Sequence, residues 1–244
     1  MRQADAAPFL RDRRDHAKVI NVSLGGCETS SKTSGFTASS DQIFAVAVAQ
    51  GQTFSISTGD SGSMECGRRK GNQQSYPAVS PYVMAIGGTT LTTTGNTTYA
   101  SEKTWKGGGG GPSTTETAPS WQVSSGVLNG GTGRGVPDIS FDADPNTGSK
   151  IIVNGSIVQY GGTSLSAPLF AGFWARIQSA STKTLGFPDP SIYANGGANP
   201  GLFHDVTTGS NGGFTAKAGW DYATGWGSVN IGALATFIAN TPGF

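Results

Sequence analysis

Two serines lie in glycine-bounded turns and are candidates for nucleophilic chemistry. Ser61 lies in STGDSG (residues 57–62) and Ser164 lies in GGTSLSAP (residues 161–168). A glycine turn exposes a hydroxyl, and a neighbouring base can turn that hydroxyl into a nucleophile. Ser164 also precedes an apolar run with helical spacing, and the N–H groups at a helix start stabilise an oxyanion. Because serine is also a common helix N-cap, Ser164 alone leaves a catalytic and a structural interpretation open.

The sequence around Ser61, GDSG, is also the sequence around the nucleophile of chymotrypsin-like proteases. That mechanism needs a histidine base that is oriented by an aspartate. The chain has two histidines, and His16 lies in a charged segment, RRDHAKV, that offers no such setting. STGDSG also comes early in the chain, directly after a predicted strand. The sequence therefore disfavours Ser61 as the nucleophile and favours its neighbour Asp60 as the functional residue.

The elements before STGDSG form a predicted strand–helix–strand unit. Residues 18–26 are a β-branched run that ends in glycines, which predicts a buried strand. Residues 41–50 predict a helix that stops at Gly51, and Thr53–Ser57 predicts a second strand. A βαβ unit favours a parallel sheet, so the expected class is α/β.

The elements around Ser164 are a hairpin and a helix. Residues 150–162 contain two strand-like runs around an Asn-Gly turn, which is a strong hairpin signal. Residues 164–180 predict a helix, with apolar side chains recurring at three and four positions. A further strand is predicted at residues 82–91 and a short final helix at residues 230–240.

Composition indicates one domain of low charge. The 244 residues show no repeat and no linker, which predicts a single domain over residues 1–244. Charged residues make up 13% and the net charge is +1, so the sequence predicts neither nucleic-acid binding nor a membrane span. Low charge is common in secreted or acid-tolerant proteins, because few carboxylates must stay ionised in the fold.

The first residues and the two cysteines give information on the cellular compartment of the protein. The start, MRQADAAPFLRDRRDH, is charged throughout and has no apolar core, so no signal peptide is predicted. Cys27 and Cys66 could form one disulfide or remain reduced and buried. Their position where strand-like runs enter loops favours the disulfide.

The residues around Ser164 and Asp60 resemble those of subtilisins, with one informative difference. Gly-Thr-Ser-x-x-x-Pro opening a helix is similar to the subtilisin motif, but the subtilisin His-Gly-Thr-His segment is absent. Asp60 stands where subtilisins supply an oxyanion-hole asparagine. An ionised carboxylate repels an oxyanion, whereas a protonated carboxyl donates a hydrogen bond to it. Asp60 in that role requires an acidic medium or a raised pKa, and a carboxylate base would replace histidine.

This combination resembles the sedolisin family of serine-carboxyl peptidases, in particular its pseudomonalisin-like members. The resemblance runs from about residue 17 to residue 244, through VINVSLGGCE, STGDSG, YPAVSPYVMAIGGTTL, GGGGGPS, RGVPDISFDADPNTG, GGTSLSAP and AGWDYATGWGSVN in order. It implies a subtilisin-like parallel sheet flanked by helices and cleavage of peptide bonds in acid. It also implies an exported, extracellular monomer that is made with a propeptide and acts on proteins or peptides.

The resemblance also assigns roles to residues. Ser164 would be the nucleophile and Asp60 the oxyanion-hole acid. Gly108, Gly109 and Gly110 would line the substrate cleft, although a flexible loop is an equally good interpretation of such a run. No Gly-Lys-Ser/Thr follows these glycines, so the run does not predict a phosphate loop.

A glycine-rich loop at about residues 204–228 resembles the family's calcium site. One Ca²⁺ would take side-chain oxygens from Asp205 and Asp221. Val206, Lys217 and Gly219 would contribute carbonyl oxygens, which are also hard ligands that suit calcium. His204 precedes this loop and is expected to have no role in it.

The family's general base, a Glu followed four residues later by an Asp, is absent. The four glutamates, Glu28, Glu65, Glu102 and Glu116, are followed at that spacing by Lys32, Arg69, Lys106 and Ser120. One interpretation is that the chain is the C-terminal two-thirds of a peptidase domain, lacks the first strands of its sheet and is inactive alone. The alternative is a pseudopeptidase or peptide-binding module that keeps the cleft and the calcium loop.

Overall fold

The computed structural model describes residues 17–95, 97–241 and 244, so the prediction of no signal peptide lies outside the described residues. Its strands are β1 (Val19–Val22), β2 (Gly26–Cys27), β3 (Thr53–Ser57), β4 (Ser75–Tyr76), β5 (Met84–Thr94), β6 (Thr98–Thr104), β7 (Gly111–Thr117), β8 (Gly133–Val136), β9 (Ile139–Asp142), β10 (Ser149–Val153), β11 (Ser156–Tyr160), β12 (Phe203–His204) and β13 (Ser228–Val229). Its helices are α1 (Glu28–Thr33), α2 (Phe36–Ala49), α3 (Ser120–Ser124), α4 (Thr163–Ala180), α5 (Asp189–Asn195) and α6 (Ile231–Asn240). Short 3₁₀ turns occur at Arg68–Lys70, Gly196–Ala198 and Pro200–Leu202.

The central sheet contains five strands. Strands β1, β3, β5 and β9 are parallel, whereas β6 runs antiparallel to β5. The first half of β5 pairs with β3 and β9, and its second half extends beyond them and folds back as a hairpin with β6. The predicted α/β class is therefore confirmed, and the sheet is mixed rather than wholly parallel.

Helices α2 and α4 cover opposite faces of this sheet. Phe54 of β3 packs its ring against Phe44 of α2, with 4.9 Å between the centroids. The alternate residue Ser55 donates from its hydroxyl to the carbonyl of Ala167 in α4, at 2.8 Å. Because side chains alternate along a strand, β3 fixes both helices relative to the strand end that carries STGDSG.

The predicted local elements agree with the structure except at some boundaries. Helix α4 begins one residue before the predicted start, whereas α2 begins at Phe36, after Gly35 with φ of 78°. The β10–β11 hairpin is confirmed, and its turn residues Asn154 and Gly155 both have positive φ, as a type I′ turn requires. Among the described residues, no helix is long and apolar enough to cross a membrane.

Cys27 and Cys66 form a disulfide in the structure. The bond joins the residue before α1 to the loop that follows STGDSG. The two cysteines are 39 positions apart, and the segment between them includes β3 and the turn at Asp60. The structure therefore contains the disulfide that the sequence favoured over two reduced cysteines.

Candidate active site

Asp60 lies against the first turn of α4. Its Oδ1 accepts the Thr163 N–H at 2.7 Å and lies 2.9 Å from the Thr163 hydroxyl, which is also a donor. The Thr163 hydroxyl accepts from Gly59 N–H at 3.0 Å, so the turn and the helix are bonded in both directions. The other carboxyl oxygen, Oδ2, lies over Gly162, where an added Cβ would approach it to 2.7 Å. The carboxyl therefore accepts through Oδ1 and keeps Oδ2 for another partner.

Ser164 follows Thr163 and is exposed in the first turn of α4. Gly162, with φ of 96°, turns the chain from β11 into the helix, a conformation that favours glycine. The Ser164 carbonyl accepts from the Ser23 hydroxyl at 3.3 Å, which ties the helix start to the end of β1. The fold thus brings two residues that are 104 positions apart, Asp60 and Ser164, to the same turn. Their catalytic roles stay predictions.

Glu65 is a residue of this turn that sequence reasoning did not select. Its Oε1 accepts Ser61 N–H at 2.7 Å, and its carboxyl packs on Gly59, where an added Cβ would lie 2.3 Å from Cδ. Burial and, less strongly, the negative charge of Asp60 raise the pKa of Glu65 to about 7, against the Ser61 N–H that favours ionisation. The Glu65 carboxyl, whose pKa is raised, thus supports the Asp60 turn. In the sequence, this role is marked only by a Glu five positions after Asp60, and that spacing alone is not distinctive.

The glycine run at residues 107–111 is largely buried beside the Asp60 turn. Gly108, Gly109 and Gly110 are buried. Gly109 N–H donates to the Gly59 carbonyl at 2.9 Å, and the Gly110 carbonyl accepts from the Asn211 side chain. These glycines allow close backbone packing under the Asp60 turn. The role of Gly108, Gly109 and Gly110 in substrate binding stays a prediction.

Replacing Gly109 with alanine is expected to destabilise the protein by about 3 kcal/mol, an overpacking effect. The new Cβ would lie 2.2 Å from the Thr58 carbonyl oxygen, a backbone atom that cannot rotate away. Urea unfolding measures the loss. Gly201→Ala is the control, because a Cβ at Gly201 meets nothing within 4 Å. Equal stability of the two variants would contradict the tight packing under the turn.

A buried carboxylate, Glu28, orders the segment that follows the glycine run. Its side chain is fully buried. It accepts from Gln74 N–H at 2.8 Å, from Thr114 N–H at 3.1 Å, and from the hydroxyls of Ser113 and Thr115. A buried carboxylate is tolerated when it receives this many donors. Glu28 therefore has a structural role, which agrees with its lack of a partner aspartate at the spacing of the family's base.

In the predicted calcium loop, both aspartates accept hydrogen bonds from backbone N–H groups of residues 217–219. Asp205 Oδ2 accepts Gly219 N–H at 2.9 Å, and Asp221 Oδ2 accepts Lys217 N–H at 2.9 Å. Carboxylate and carbonyl oxygens are the donors that Ca²⁺ prefers, so this donor chemistry fits the ion. In the described part of the chain, no three acidic, His or Cys side chains group as a metal site. A cation in this loop would therefore depend on backbone carbonyls, for which Val206, Lys217 and Gly219 stay the predicted sources.

His204 lies beside this loop and is engaged elsewhere. Its ring stacks on Tyr99 with 3.9 Å between centroids, and burial lowers its pKa. Strand β12, which contains His204, pairs with β13 and closes the loop at its base. These contacts explain the position of His204 by packing alone.

A parallel-sheet core, a serine in the first turn of a buried helix and an acidic turn beside it define a subtilisin-like hydrolase fold. The sequence profile of the Subtilase family matches residues 2–227. The chain belongs to the Subtilase family.

Within that family the chain is most informatively compared with sedolisins. It is 48% identical to sedolisin from Pseudomonas sp. strain 101 over 91% of this chain and 41% of that protein. It is 44% identical to xanthomonalisin from Xanthomonas sp. strain T-22 over 91% of this chain and 31% of that protein. The solved structure of Pseudomonas sedolisin complexed with pseudo-iodotyrostatin superposes with a TM-score of 0.89 at 46% identity. The predicted sedolisin membership and subtilisin-like fold are confirmed.

The chain spans less than half the length of these two curated relatives. In the structural comparison it covers 69% of the solved sedolisin chain, while 97% of this chain is matched. About a third of that solved chain therefore has no counterpart among the residues compared here.

Proposed function

We propose that this chain supplies the nucleophile and the oxyanion hole of a serine-carboxyl endopeptidase that cleaves protein or peptide substrates in acid. The observation that supports this most directly is the Asp60 carboxyl on the Thr163 N–H, one residue before Ser164. With Oδ1 engaged, a proton on Oδ2 is available to donate to a developing oxyanion. A carboxyl donates such a bond only in its protonated form, so this role for Asp60 is proposed together with an acidic medium.

The proposed reaction is acyl transfer to serine. The Ser164 hydroxyl adds to the scissile carbonyl as a carboxylate base takes its proton, and protonated Asp60 donates to the oxyanion. The intermediate collapses with the C–N bond breaking, and the protonated base gives its proton to the leaving amine. Water then hydrolyses the acyl ester with the same base, which regenerates the Ser164 hydroxyl. None of the four glutamates named above has the Glu-x-x-x-Asp spacing of the family's base, so none of them is assigned this role.

We test this function with the chain alone and with the chain joined to the part of Pseudomonas sedolisin that it does not match. The expected result is cleavage of a denatured protein at about pH 4 by the joined protein only, since the base pair is otherwise missing. Ser164→Ala should lower kcat by about 10⁴-fold or more. Asp60→Asn should move or widen the acid optimum, because an amide donates at every pH. An unchanged rate and optimum in Asp60→Asn would exclude Asp60 as the donor.

A second candidate function is peptide binding without cleavage. It is favoured by the absence of the Glu-x-x-x-Asp spacing at all four glutamates. In this case the joined protein would bind a peptide aldehyde but would not cleave protein. Extracellular location, a propeptide partner and a monomeric state also belong to the proposal, as properties inferred from the family.

The same proposal includes one structural Ca²⁺ in the loop around Asp205 and Asp221. The ion would join the loop ends by binding both carboxylates, with carbonyl oxygens completing its ligands. It would have no part in the chemistry at Ser164.

Calcium is expected to raise the melting temperature, and magnesium or EDTA to leave it low. Binding to the folded state alone would add about 2.7 kcal/mol at a free concentration 100 times Kd. Asp205→Asn should remove most of this shift, because it removes the negative charge of an exposed ligand. The carboxylate it replaces accepts one backbone N–H, from Gly219. Asp144→Asn, at a partly buried acidic residue of another loop, is the control. An equal calcium shift in both variants would count against the site.

A further inference from the structure

Three ionisable side chains meet in the interior of the protein. Arg134 of β8, Asp138 between β8 and β9, and Asp189 of α5 all have no exposed surface. The Arg134 Nη2 lies 2.6 Å from Asp138 Oδ2 and 3.8 Å from Asp189 Oδ2, so both acids face the same nitrogen. Two carboxylates beside one guanidinium would leave one buried negative charge uncompensated. Such a charge destabilises the fold, and a buried carboxyl commonly takes up a proton instead.

Asp138 is the acid that the surrounding donors stabilise in its ionised form. It accepts from Ala85 N–H at 2.7 Å, from Arg134 Nη2 at 2.6 Å and from the Tyr193 hydroxyl at 2.8 Å. Donors to a carboxylate favour its ionisation, and a cationic donor favours it most. An ionised carboxylate offers about four acceptor positions, so these three bonds leave one position open. Asp138 is therefore the carboxylate of the cluster, and Arg134 is its cation.

Asp189 lacks this support. Both of its carboxyl oxygens are buried, and no N–H or O–H group of the described residues donates to either of them. An ionised carboxylate can only accept, whereas a protonated carboxyl is itself a donor. A proton on Asp189 would therefore be donated to its hydrogen-bond neighbour Asp138, which has an acceptor position open. Burial and the negative charge of Asp138 raise the pKa of Asp189, against the positive charge of Arg134, which agrees with this geometry.

The charged and titratable groups that act on Asp189 are Arg134 on β8, Asp138 in the connection to β9, and Tyr193 on α5 itself. Tyr193 stays neutral, because burial raises the pKa of its hydroxyl well above the usual range. Helix α3 packs on α5 through the rings of Trp121 and Tyr193, with 4.7 Å between centroids, and contributes no charge. The cluster thus contains two acids and one cation, and a single proton balances its charge.

We propose that Asp138 and Asp189 form a buried site that binds one proton and thereby holds α5 against the sheet in acid. Helix α5 begins at Asp189 and also carries Tyr193, so two of its side chains meet Asp138. Asp138 is in turn bonded to Ala85 of β5. When the proton leaves at higher pH, two like charges face one another and α5 loses its attachment. This inference concerns the stability of the fold and does not depend on the proposed function.

The direction of the pH effect follows from the state that binds the proton. The folded protein holds a proton that the unfolded chain releases above the ordinary aspartate pKa of 3.8. The stabilisation is fully present below that pKa and is lost as the pH rises through the higher pKa of the folded pair. Hydrogen exchange at the backbone of α5, corrected for the intrinsic rate, should therefore become about tenfold faster or more between acid and alkaline pH.

Carbon NMR of the full chain, labelled at the aspartate Cγ, detects the proton directly, since the Cγ shift distinguishes a carboxyl from a carboxylate. At about pH 6, where an ordinary aspartate is ionised, the Asp189 signal should still be that of a protonated carboxyl. Asp189→Asn should remove this signal. Asp138→Asn should convert it to a carboxylate signal, because Arg134 then has Asp189 as its partner. The proposal is overturned if the unaltered chain shows no protonated aspartate, if Asp189→Asn removes no such signal, or if Asp138→Asn leaves Asp189 protonated.

Two matched substitutions, each replacing one acid with its amide, measure the consequence for stability. Asp189→Asn should unfold at nearly the same urea concentration as the unaltered chain at about pH 4 and at a higher one at about pH 8, because an amide has no proton to lose. Asp138→Asn should be less stable already in acid, since it removes the carboxylate that receives three donors. Lower stability of Asp189→Asn at the alkaline pH would overturn the proposal, because Asp189 would then act as an ionised partner of Arg134.

Discussion

Replacing Arg134 with methionine is expected to lower the free energy of unfolding by about 3–5 kcal/mol, the usual effect of breaking a buried ion pair. Arg134 is fully buried, and its guanidinium lies 2.6 Å from Asp138 Oδ2 and 5.0 Å above the Trp121 ring. Burial, together with the negative charge of Asp138, raises the pKa of Asp189 well above its usual range. Arg134 therefore pairs most closely with Asp138, and Asp189 lies farther away, at 3.8 Å from the guanidinium.

The methionine variant would leave the Asp138 carboxylate without its cation. Asp138 also accepts from Ala85 N–H and from the Tyr193 hydroxyl, so it joins β5 to α5. Urea unfolding should show a partial recovery when Asp138→Asn is added to Arg134→Met, because the unpaired charge is then removed. Lys32→Met is the control, since Lys32 is half-exposed in its pair with Glu116 and such pairs contribute little. A loss no larger than that of the control would contradict a structural role for the buried pair.

Stability is expected to fall as pH rises from acid to neutral, and Glu65 contributes to this fall. Its pKa is raised from 4.5 to about 7 in the folded state, so the folded protein holds a proton that the unfolded chain releases. The stabilisation is fully present below pH 4.5 and is lost as pH rises through 7, which amounts to about 3 kcal/mol. Burial also raises the pKa of Glu102 and Asp142, which adds to the same trend.

The variant Glu65→Gln isolates this contribution. Its amide oxygen can still accept Ser61 N–H, and its side chain is neutral at every pH. Urea unfolding of the two proteins should give similar free energies near pH 4 and diverge above about pH 7, with the glutamine variant more stable. Parallel curves for the two proteins would contradict the raised pKa.

Asp144→Asn provides a control of opposite sign. Burial acts to raise the pKa of Asp144, but hydrogen bonds from Asn146 and Thr90 outweigh it, and the pKa is lowered. Its contribution is present above the ordinary pKa of an aspartate and is lost as pH falls. Asp144 is the exception among the carboxyls whose pKa is shifted, since burial raises the others, and raised carboxyl pKa values favour stability in acid.

Local patterns in the sequence determined most of the elements that hold the site. The β-branched run at β3, the Asn-Gly turn of the β10–β11 hairpin and the apolar spacing of α4 each depend on neighbouring residues. Such local patterns can be recognised in the sequence before the fold is known. The order of short motifs along the chain was sufficient for the sedolisin resemblance, which the comparisons confirm.

Only the tertiary structure decided which residues support the site and which do not. The sequence did not show that the glycines at residues 108–110 are buried, or that the Thr58 carbonyl oxygen lies 2.2 Å from where a Cβ of Gly109 would be. Glu65 and Glu28 carried no pattern, since their roles depend on N–H groups contributed by turns and strands from other parts of the chain. The sequence by itself determined the nucleophile and oxyanion candidates. Their support is non-local, so it appeared only when the fold brought distant backbone groups together.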